Sequence, residues 1–352
     1  MNLQQAILQI KPPDKDAAAQ AKRRWDSIAK PLNSLGLMEK AVIRIAGLTG
    51  SAQITLDKRC VVVMCADNGV VAEGVTQTGS DVTAIVTENF TKGETSVCTM
   101  ARVARCDVIP VDLGVARDVS GTGLLKHKIS RGTKNIAREP AMTKEQAIDA
   151  IEFGINLVAH LKADGYRMIA TGEMGIGNTT TSSAVTSVLL NKAPEEVTGR
   201  GAGLSEEGLN RKIDAIERAI AVNHPDANDP IDVLSKVGGY DIAGLCGVFL
   251  GGAAFGVPVV IDGFISAVAA LLAKRMCADS AACMLAAHRS KEPAGEMLLK
   301  ALDLRPFITA DMCLGEGTGA VAAIPLLDMA CAVYNEMSTF SEIQIEDYQP
   351  LD

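Results

Sequence analysis

The chain repeats one local pattern: a short apolar run, a glycine-rich or polar turn, and then apolar residues at helical spacing. The clearest run is CVVVMC at residues 60–65, which is continuous, as strands buried on both faces of a parallel sheet are. Further candidate strands lie at 107–111, 166–170, 257–261, 281–287 and 306–310. The repeat predicts an α/β fold, a parallel sheet flanked by helices on both faces.

Polar residues follow several of these candidate strands. They are Asp67 and Asn68, the stretch 173–180, Asp262, Ser290 and Glu316. Because parallel strands end at one edge of the sheet, and ligands bind at that edge, we expect these residues to converge on a ligand site.

Two glycine-rich turns precede helices. The first, 175–180 (GIGNTT), presents backbone N–H groups and short hydroxyls that suit a phosphate, although it is neither a Walker motif nor a dinucleotide fingerprint. The second, 199–203 (GRGAG), precedes a helix in which Lys212 falls at the edge of the apolar stripe. The alternatives are ordinary capped turns and a solvated lysine.

Two carboxylates, Glu173 and Glu316, each stand beside a glycine turn. Such a pair could perform glycoside hydrolysis, with one acid and one base. A phosphate-binding turn beside a carboxylate base better suits transfer of a phosphorylated sugar to a nucleophile. We expect Asp262 to cap the helix that follows it rather than to bind ribose hydroxyls, and His288 to be structural rather than catalytic.

Charge and cysteine usage exclude several classes of protein. A net charge of −8 without a basic arm argues against binding to a nucleic-acid backbone. Nine scattered cysteines without a CxxC motif are typical of buried thiols in a reducing cytosol, rather than disulfides or a zinc site. The N-terminus does not resemble a signal peptide, and the apolar stretches are interrupted by Gly, Pro and Asp. We therefore expect a cytoplasmic protein without a membrane span.

Five motifs, in order along nearly the whole chain, resemble one known family. They are KPLNSLG at 30–36, GEMGIGNTT at 172–180, IDVLSKVGG at 231–239, VIDGF at 260–264 and LGEGTG at 314–319. Their combination is similar to the nicotinate-nucleotide–dimethylbenzimidazole phosphoribosyltransferases of cobalamin (cobamide) lower-ligand activation. The resemblance implies transfer of phosphoribose from nicotinate mononucleotide to a lower-ligand base, giving an α-riboside phosphate and nicotinate.

The resemblance also implies an architecture. The family has a Rossmann-like six-stranded parallel sheet in a large domain, here residues 50–334. A small helical domain is built from both chain ends, here 1–49 and 335–352, which agrees with the helical spacing of residues 1–49. Two subunits pair, as a homodimer or as a heterodimer with a paralogue.

Residue roles carried over from the family are as follows. Glu316 is the general base that deprotonates the incoming nucleophile. Ser290 lies near the nicotinate. The residues that hold the donor's ribose and phosphate are Glu173, Gly175, Gly177, Asn178, Thr179, Thr180, Gly201, Gly203 and Lys212. No metal or redox cofactor is implied.

The acceptor side departs from the family pattern. The family usually has Asp-His-Gly where this chain has Asn68 in the middle position, and well-known members place a Ser and a Gln where this chain has Thr78 and Val86. We expect the acceptor-base pocket to consist of Thr78, Ser80, Val86, Met174 and Leu314. The loss of a Gln amide changes what this pocket can hydrogen-bond, so a purine or a phenol is an alternative acceptor.

Two other functions remain open from the sequence. The chain could be a paralogous subunit that supports an active partner, although it keeps Glu316, Glu173 and Lys212. It could also be an unrelated nucleotide-binding dehydrogenase, although no GxGxxG motif follows the first candidate strand.

Overall fold

A computed structural model describes residues 1–346 and 348 of the chain. The predicted C-terminal part of the helical domain, 335–352, therefore lies in part outside the described residues.

Six parallel strands form one sheet in the described residues. They are β1 (Arg59–Ala66), β2 (Asp107–Gly114), β3 (Leu125–Lys126), β4 (Met168–Met174), β5 (Val259–Ile261) and β6 (Met284–Ala286). Their order across the sheet is β3-β2-β1-β4-β5-β6. This is the strand order of a doubly wound Rossmann sheet, and it confirms the predicted α/β class.

Helices connect and cover these strands. The α-helices of the described residues are α1 (Leu3–Gln9), α2 (Lys15–Ser27), α3 (Leu37–Thr49), α4 (Asp81–Lys92), α5 (Ser96–Ala104), α6 (Lys144–Ala163), α7 (Asn178–Leu190), α8 (Pro194–Val197), α9 (Glu206–Asn223), α10 (Pro230–Val237), α11 (Tyr240–Phe255), α12 (Phe264–Met276), α13 (Gly295–Leu302) and α14 (Thr318–Glu336). Two short 3-10 helices are Gly69–Glu73 and Ala278–Cys283.

The central strand β1 explains the two helical layers. All eight of its residues are buried, as its unbroken apolar run predicts. Its alternate side chains enter two different cores: Val62 and Met64 pack with α6, α11 and α12, whereas Val61 and Val63 pack with α3, α5 and α14. A strand whose two faces both meet helices must be apolar throughout.

Two local predictions about the strands need correction. The prediction of a regular strand at 306–310 is wrong: Ile308 makes one isolated parallel bridge to His288, although Phe307 and Ile308 donate backbone hydrogen bonds to Ala286 and Ala287. Both side chains pack at the edge of a core. The second correction is a strand that the sequence did not predict, β3. It consists of two exposed residues in the loop between β2 and α6, and its backbone pairs with Val111 and Asp112.

The N-terminal segment is helical, as predicted. Asp14 accepts hydrogen bonds from two backbone N–H groups and caps α2, and Trp25 of α2 packs against Tyr334 of α14 at 5.1 Å between ring centroids. In contrast, α1 packs on α6 and α11 beside the sheet. The division into a large and a small domain stays a prediction.

The sheet creates one natural crevice. β1 and β4 are neighbours, but β1 connects to β2 on one side whereas β4 connects to β5 on the other, so the connections that leave these two strands run in opposite directions. The turns after β1, β4, β5 and β6 meet at the carboxyl edge beside this switch point.

Candidate active site

A cavity of about 290 Å³ lies at this carboxyl edge. Its lining joins residues that are far apart in sequence, among them the turns after β4, β5 and β6. The lining includes these residues singled out from the sequence: Thr78, Val86, Glu173, Met174, Gly175, Gly177, Asn178, Thr179, Gly201, Lys212, Ser290, Leu314 and Glu316. The expected convergence at one edge is therefore present.

Five residues predicted for the site lie outside the lining. Asp67 and Asn68, which follow β1, are buried outside it. Thr180 is fully buried in the first turn of α7. Ser80 precedes α4 and makes no side-chain cap hydrogen bond. Gly203 is adjacent to the cavity, and its carbonyl accepts a hydrogen bond from the Gln77 side chain.

Glu316 forms one wall of the cavity. Its Oε2 accepts a hydrogen bond of 3.0 Å from the backbone N–H of Val97, in the first turn of α5. An N–H at the start of a helix is a favourable partner for a carboxylate. Among the described residues no other group donates a hydrogen bond to this carboxylate. Oε1 is therefore available to a substrate.

The turn that carries Glu316 depends on close backbone contact with β4. A β-carbon on Gly172 would lie 2.4 Å from the Glu316 carbonyl oxygen, so only glycine allows this approach. Glu316 has φ +60°, and its neighbours Gly315 and Gly317 also have positive φ. The strand and the turn thus fix the position of the carboxylate together.

Lys212 forms another part of the wall. Although it belongs to the amphipathic helix α9, its side chain is fully buried. The ammonium donates to Thr179 Oγ1 at 2.9 Å and to the Gly199 carbonyl at 3.0 Å. Burial lowers the pKa of Lys212 to about 8. The two predicted glycine-turn regions therefore meet at one buried cation, a suitable partner for an anion.

A cluster of buried acids lies at the back of the cavity. The Asn178 amide nitrogen donates to Glu173 Oε2 and, at 3.0 Å, to Asp241 Oδ2. Burial, and then the charge of Asp241, raises the pKa of Glu173 to about 8. Burial raises the pKa of Asp241 to about 6. At neutral pH Glu173 is therefore mostly a neutral acid.

Asp262 caps a different helix from the one expected. The following helix, α12, has Gly263 at its N-cap and no side-chain cap hydrogen bond. Asp262 instead accepts from the backbone N–H groups of Gly317 at 3.2 Å and Ala320 at 2.9 Å, at the start of α14. It thereby ties β5 to the turn that carries Glu316. His288 lies 3.9 Å from Asp262 and is buried.

The expected acceptor side is mainly apolar. Val86 of α4 and Met174 at the end of β4 are partly buried, whereas Leu314 is 56% exposed. Thr78 lies on the exposed loop before α4. Near Val86 this wall offers a planar aromatic base dispersion contacts rather than hydrogen bonds.

Sequence reasoning missed three residues of the site. The motifs of the sequence do not single out Asp241, and they give Glu292 and Gly199 no individual role. Glu292 lines the cavity, and one of its oxygens, Oε2, is buried without a hydrogen-bond partner in the described residues. A useful signal for Glu292 was its position two residues after Ser290.

Two further properties concern the described residues, metal binding and insertion into a membrane. No group of three or more His, Cys, Asp or Glu side chains there is arranged to hold a metal ion. One helix, α14, is long and apolar enough to cross a membrane, a criterion that core helices also pass, and 56% of its apolar window is buried in the protein.

Comparison with known proteins gives a consistent result. A family model described as "Phosphoribosyltransferase" (DBI_PRT) matches residues 10–345. The nicotinate-nucleotide–dimethylbenzimidazole phosphoribosyltransferase of Acetivibrio thermocellus is 49% identical over 336 residues, which cover 96% of each chain. The enzyme of the same name from Ruminiclostridium cellulolyticum is 48% identical over 352 residues, which cover 100% of each chain.

A solved structure agrees with the fold. The crystal structure of CobT from Thermus thermophilus superposes with a TM-score of 0.90 at 41% identity and covers 95% of this chain and 100% of that chain. With a family model and relatives that match across nearly its whole length, this chain belongs to the nicotinate-nucleotide–dimethylbenzimidazole phosphoribosyltransferase family and is an enzyme of the pentosyltransferase class.

Proposed function

We propose that this enzyme transfers phosphoribose from nicotinate mononucleotide to a lower-ligand base, such as dimethylbenzimidazole, in cobalamin nucleotide-loop assembly. The observation that carries the proposal is that a fixed carboxylate, Glu316, and a buried ammonium, Lys212, line one cavity. Transfer of a phosphorylated sugar to a nitrogen base needs a proton acceptor and an anion site in the same place.

The reaction assigns a task to each part of the cavity. Glu316 takes the N–H proton of the base, and a ring nitrogen of the base attacks C1′ of the ribose. The C1′–N bond to nicotinate breaks, and nicotinate leaves with the bonding electron pair. Attack on the face opposite the nicotinate inverts C1′ and gives the α-riboside phosphate.

The donor is assigned to the polar part of the cavity. Lys212, Thr179 and the glycine turns at 175–177 and 201–203 hold the phosphate. A mostly neutral Glu173 can donate a hydrogen bond to a ribose oxygen, which an ionised carboxylate cannot do. Ser290 is placed near the nicotinate.

The test is direct. The purified chain is incubated with nicotinate mononucleotide and dimethylbenzimidazole, released nicotinate is measured by chromatography, and the anomeric configuration of the product is read by NMR. We expect base-dependent nicotinate release and an α-anomer. If no base in a panel of benzimidazoles, purines and phenols releases nicotinate, the proposal fails.

A different acceptor within the same reaction is the second candidate. Val86 lines the cavity where well-known members of the family have a Gln, so a purine or a phenol is an alternative acceptor. The base panel decides this through the ratio of kcat/KM values.

We also propose a cytoplasmic homodimer, as the family resemblance implies. Light scattering after size-exclusion chromatography should give about twice the chain mass of 36.9 kDa. A monomer that becomes active only when a paralogue is added would instead indicate a heterodimer with a supporting subunit.

A further inference from the structure

Glu292 is a cavity carboxylate to which the proposed reaction gives no task. It follows β6, and its backbone N–H donates to Ser290 Oγ at 3.3 Å. Its Oε2 is buried and has no hydrogen-bond partner in the described residues. A carboxylate beside a phosphate site would repel the ligand, so its presence there needs a physical explanation.

The contacts of Glu292 lead to Lys212. A β-carbon on Gly199 would lie 2.0 Å from Glu292 Oε2, so the carboxylate packs directly on the Gly199 backbone. The Gly199 carbonyl in turn accepts a hydrogen bond from the Lys212 ammonium. The backbone of Gly201 also favours the ionised form of Glu292. Glu292 thus supports the turn that orients the ammonium.

The ammonium is oriented with one donor to spare. An ammonium has three N–H donors, and Lys212 directs one to Thr179 and one to Gly199. The third is left for a ligand in the cavity. A shift of the Gly199 turn would change the direction of this remaining donor.

The charges of the two side chains also act on each other. The negative charge of Glu292 favours the charged form of Lys212, and the positive charge of Lys212 favours the ionised form of Glu292. Both effects oppose burial, which disfavours each charge.

Nearby charged groups are engaged with other partners. In the cavity, Arg200 contacts Glu206, and Glu173 and Asp262 are hydrogen-bonded as described above. On the elements that pack against α9, the carboxylates of Glu196, Asp232 and Glu73 each contact a lysine or an arginine. His288 and Glu316 also line the cavity, but they belong to turns that follow β6 and precede α14 and not to α9. Glu292 is therefore the counter-charge that acts on Lys212.

We propose that Glu292 is a positioning residue for Lys212: it packs against the Gly199 turn that aims the ammonium and supplies a negative charge beside it. This inference rests on the proposed function, in which Lys212 binds the donor's phosphate. Glu292 has two opposite effects on that phosphate, since it favours the charged ammonium but repels the anion. Which effect dominates depends on pH.

The test compares Glu292→Gln with the wild type at two pH values, with ribose 5-phosphate as the probe and calorimetry as the measurement. Because both proteins meet the same ligand at each pH, ionisation of the phosphate cancels in the ratio of their Kd values. At pH 6.0 Lys212 is charged in both proteins, so the variant should bind as tightly as the wild type or up to about 3-fold more tightly. At pH 8.5 a larger fraction of Lys212 is uncharged in the variant than in the wild type. The variant should therefore bind ribose 5-phosphate roughly 3–10-fold more weakly than the wild type.

Turnover gives a second measure. The KM for nicotinate mononucleotide should show the same reversal between pH 6.0 and 8.5, whereas kcat at a saturating donor concentration should change less. Glu292→Asp, which keeps the charge, should restore part of the binding at pH 8.5. Glu207→Gln, an equal change of charge at an exposed position on α9, should leave the Kd unchanged at both pH values.

Three results would overturn the inference. Equal weakening of Glu292→Gln at both pH values would mean a purely structural role. Unchanged binding at both would mean no role in positioning Lys212. If wild-type protein does not bind ribose 5-phosphate at all, the donor site of the proposed function fails together with this inference.

Discussion

Glu316 adopts a backbone conformation that non-glycine residues avoid. At φ +60° it lies in the left-handed region, which costs about 1 kcal/mol or more for a residue with a side chain. The close approach to Gly172 and the hydrogen bond from Val97 hold it there. Such strain at a cavity wall is a reason to test the side chain for a role in the reaction.

We expect Glu316→Gln to reduce kcat by roughly 10²–10⁴-fold, because glutamine cannot accept the proton of the incoming base. The amide oxygen can still accept the Val97 hydrogen bond, so Kd for nicotinate mononucleotide should stay within about 3-fold of the wild-type value. Steady-state kinetics and calorimetry measure the two quantities. A variant with nearly normal kcat would show that substrate positioning, rather than this carboxylate, carries the catalysis.

Glu173 leads to a prediction about stability. Because its pKa is raised to about 8 in the folded protein, folding favours its protonated form. Between pH 4.5 and 8 the folded state therefore binds more protons than the unfolded state, and stability contributed by this group falls as pH rises. Glu173→Gln removes this loss.

Glu173→Gln should consequently be more stable than the wild type at pH 8.5, on the order of 2 kcal/mol, with the difference decreasing toward pH 5. Urea unfolding at several pH values measures it, and the exposed Glu207→Gln serves as the charge-matched control. A constant difference across this range would show that Glu173 does not change its protonation there.

Lys212 illustrates what a sequence can predict about one residue. Its position at the edge of the stripe in α9 correctly indicated that it could point toward the sheet. Full burial could not be predicted, because it results from the 199–203 turn and from Thr179, which are brought to the lysine by the fold. The same holds for Glu292, whose partner is Gly199, 93 residues earlier in numbering.

At the scale of elements, apolar runs predicted five of the six strands of the described residues, β1, β2, β4, β5 and β6, and failed at one place. The run at 60–65 lies within β1 because both faces of a central strand need apolar side chains. The run at 306–310 is also apolar, but it makes one isolated bridge beside β6 instead of a regular strand, and Phe307 and Ile308 pack at a core edge. The sequence contains no apolar run at β3, because two exposed residues that are held by backbone pairing need no apolar side chains.

The cap of α14 is an element-scale feature that local sequence could not show, since Asp262 and Ala320 are separated by 58 positions. We expect Asp262→Ala to lower the free energy of unfolding by about 2–4 kcal/mol, because two backbone N–H groups lose a buried charged acceptor. It should also lower kcat, since the Gly315–Gly317 turn loses its attachment to β5. Urea unfolding and steady-state kinetics measure the two effects.

Asp14→Ala is the control for this substitution. Asp14 caps α2 through two backbone N–H groups, outside the cavity lining, and its loss should cost about 1 kcal/mol without changing kcat. If Asp262→Ala is destabilised but keeps its kcat, the cap stabilises the fold without positioning Glu316.

At the scale of the whole molecule, the sheet topology brings distant parts of the chain to one cavity, which no single motif can do. Glu173, Lys212 and Glu316 come from three distant parts of the chain, and the switch of direction beside β1 brings them to one cavity. The sequence predicted this convergence because parallel strands end at a common edge. It did not predict which side chains are buried, since burial depends on how turns from several strands close over one another.

Acceptor choice is also a property of the assembled cavity, and Val86 allows it to be tested. Val86→Gln adds the amide that well-known members of the family carry at this position. It should raise kcat/KM for dimethylbenzimidazole relative to adenine and a phenol by roughly 10-fold, through a hydrogen bond formed with the base.

Its neighbour Ile85 is 47% exposed and does not line the cavity, so Ile85→Gln is the matched control. The measurement is the ratio of kcat/KM values across the three acceptors at a saturating concentration of nicotinate mononucleotide. An equal change for all three acceptors, or the same change in Ile85→Gln, would mean that Val86 does not select the base.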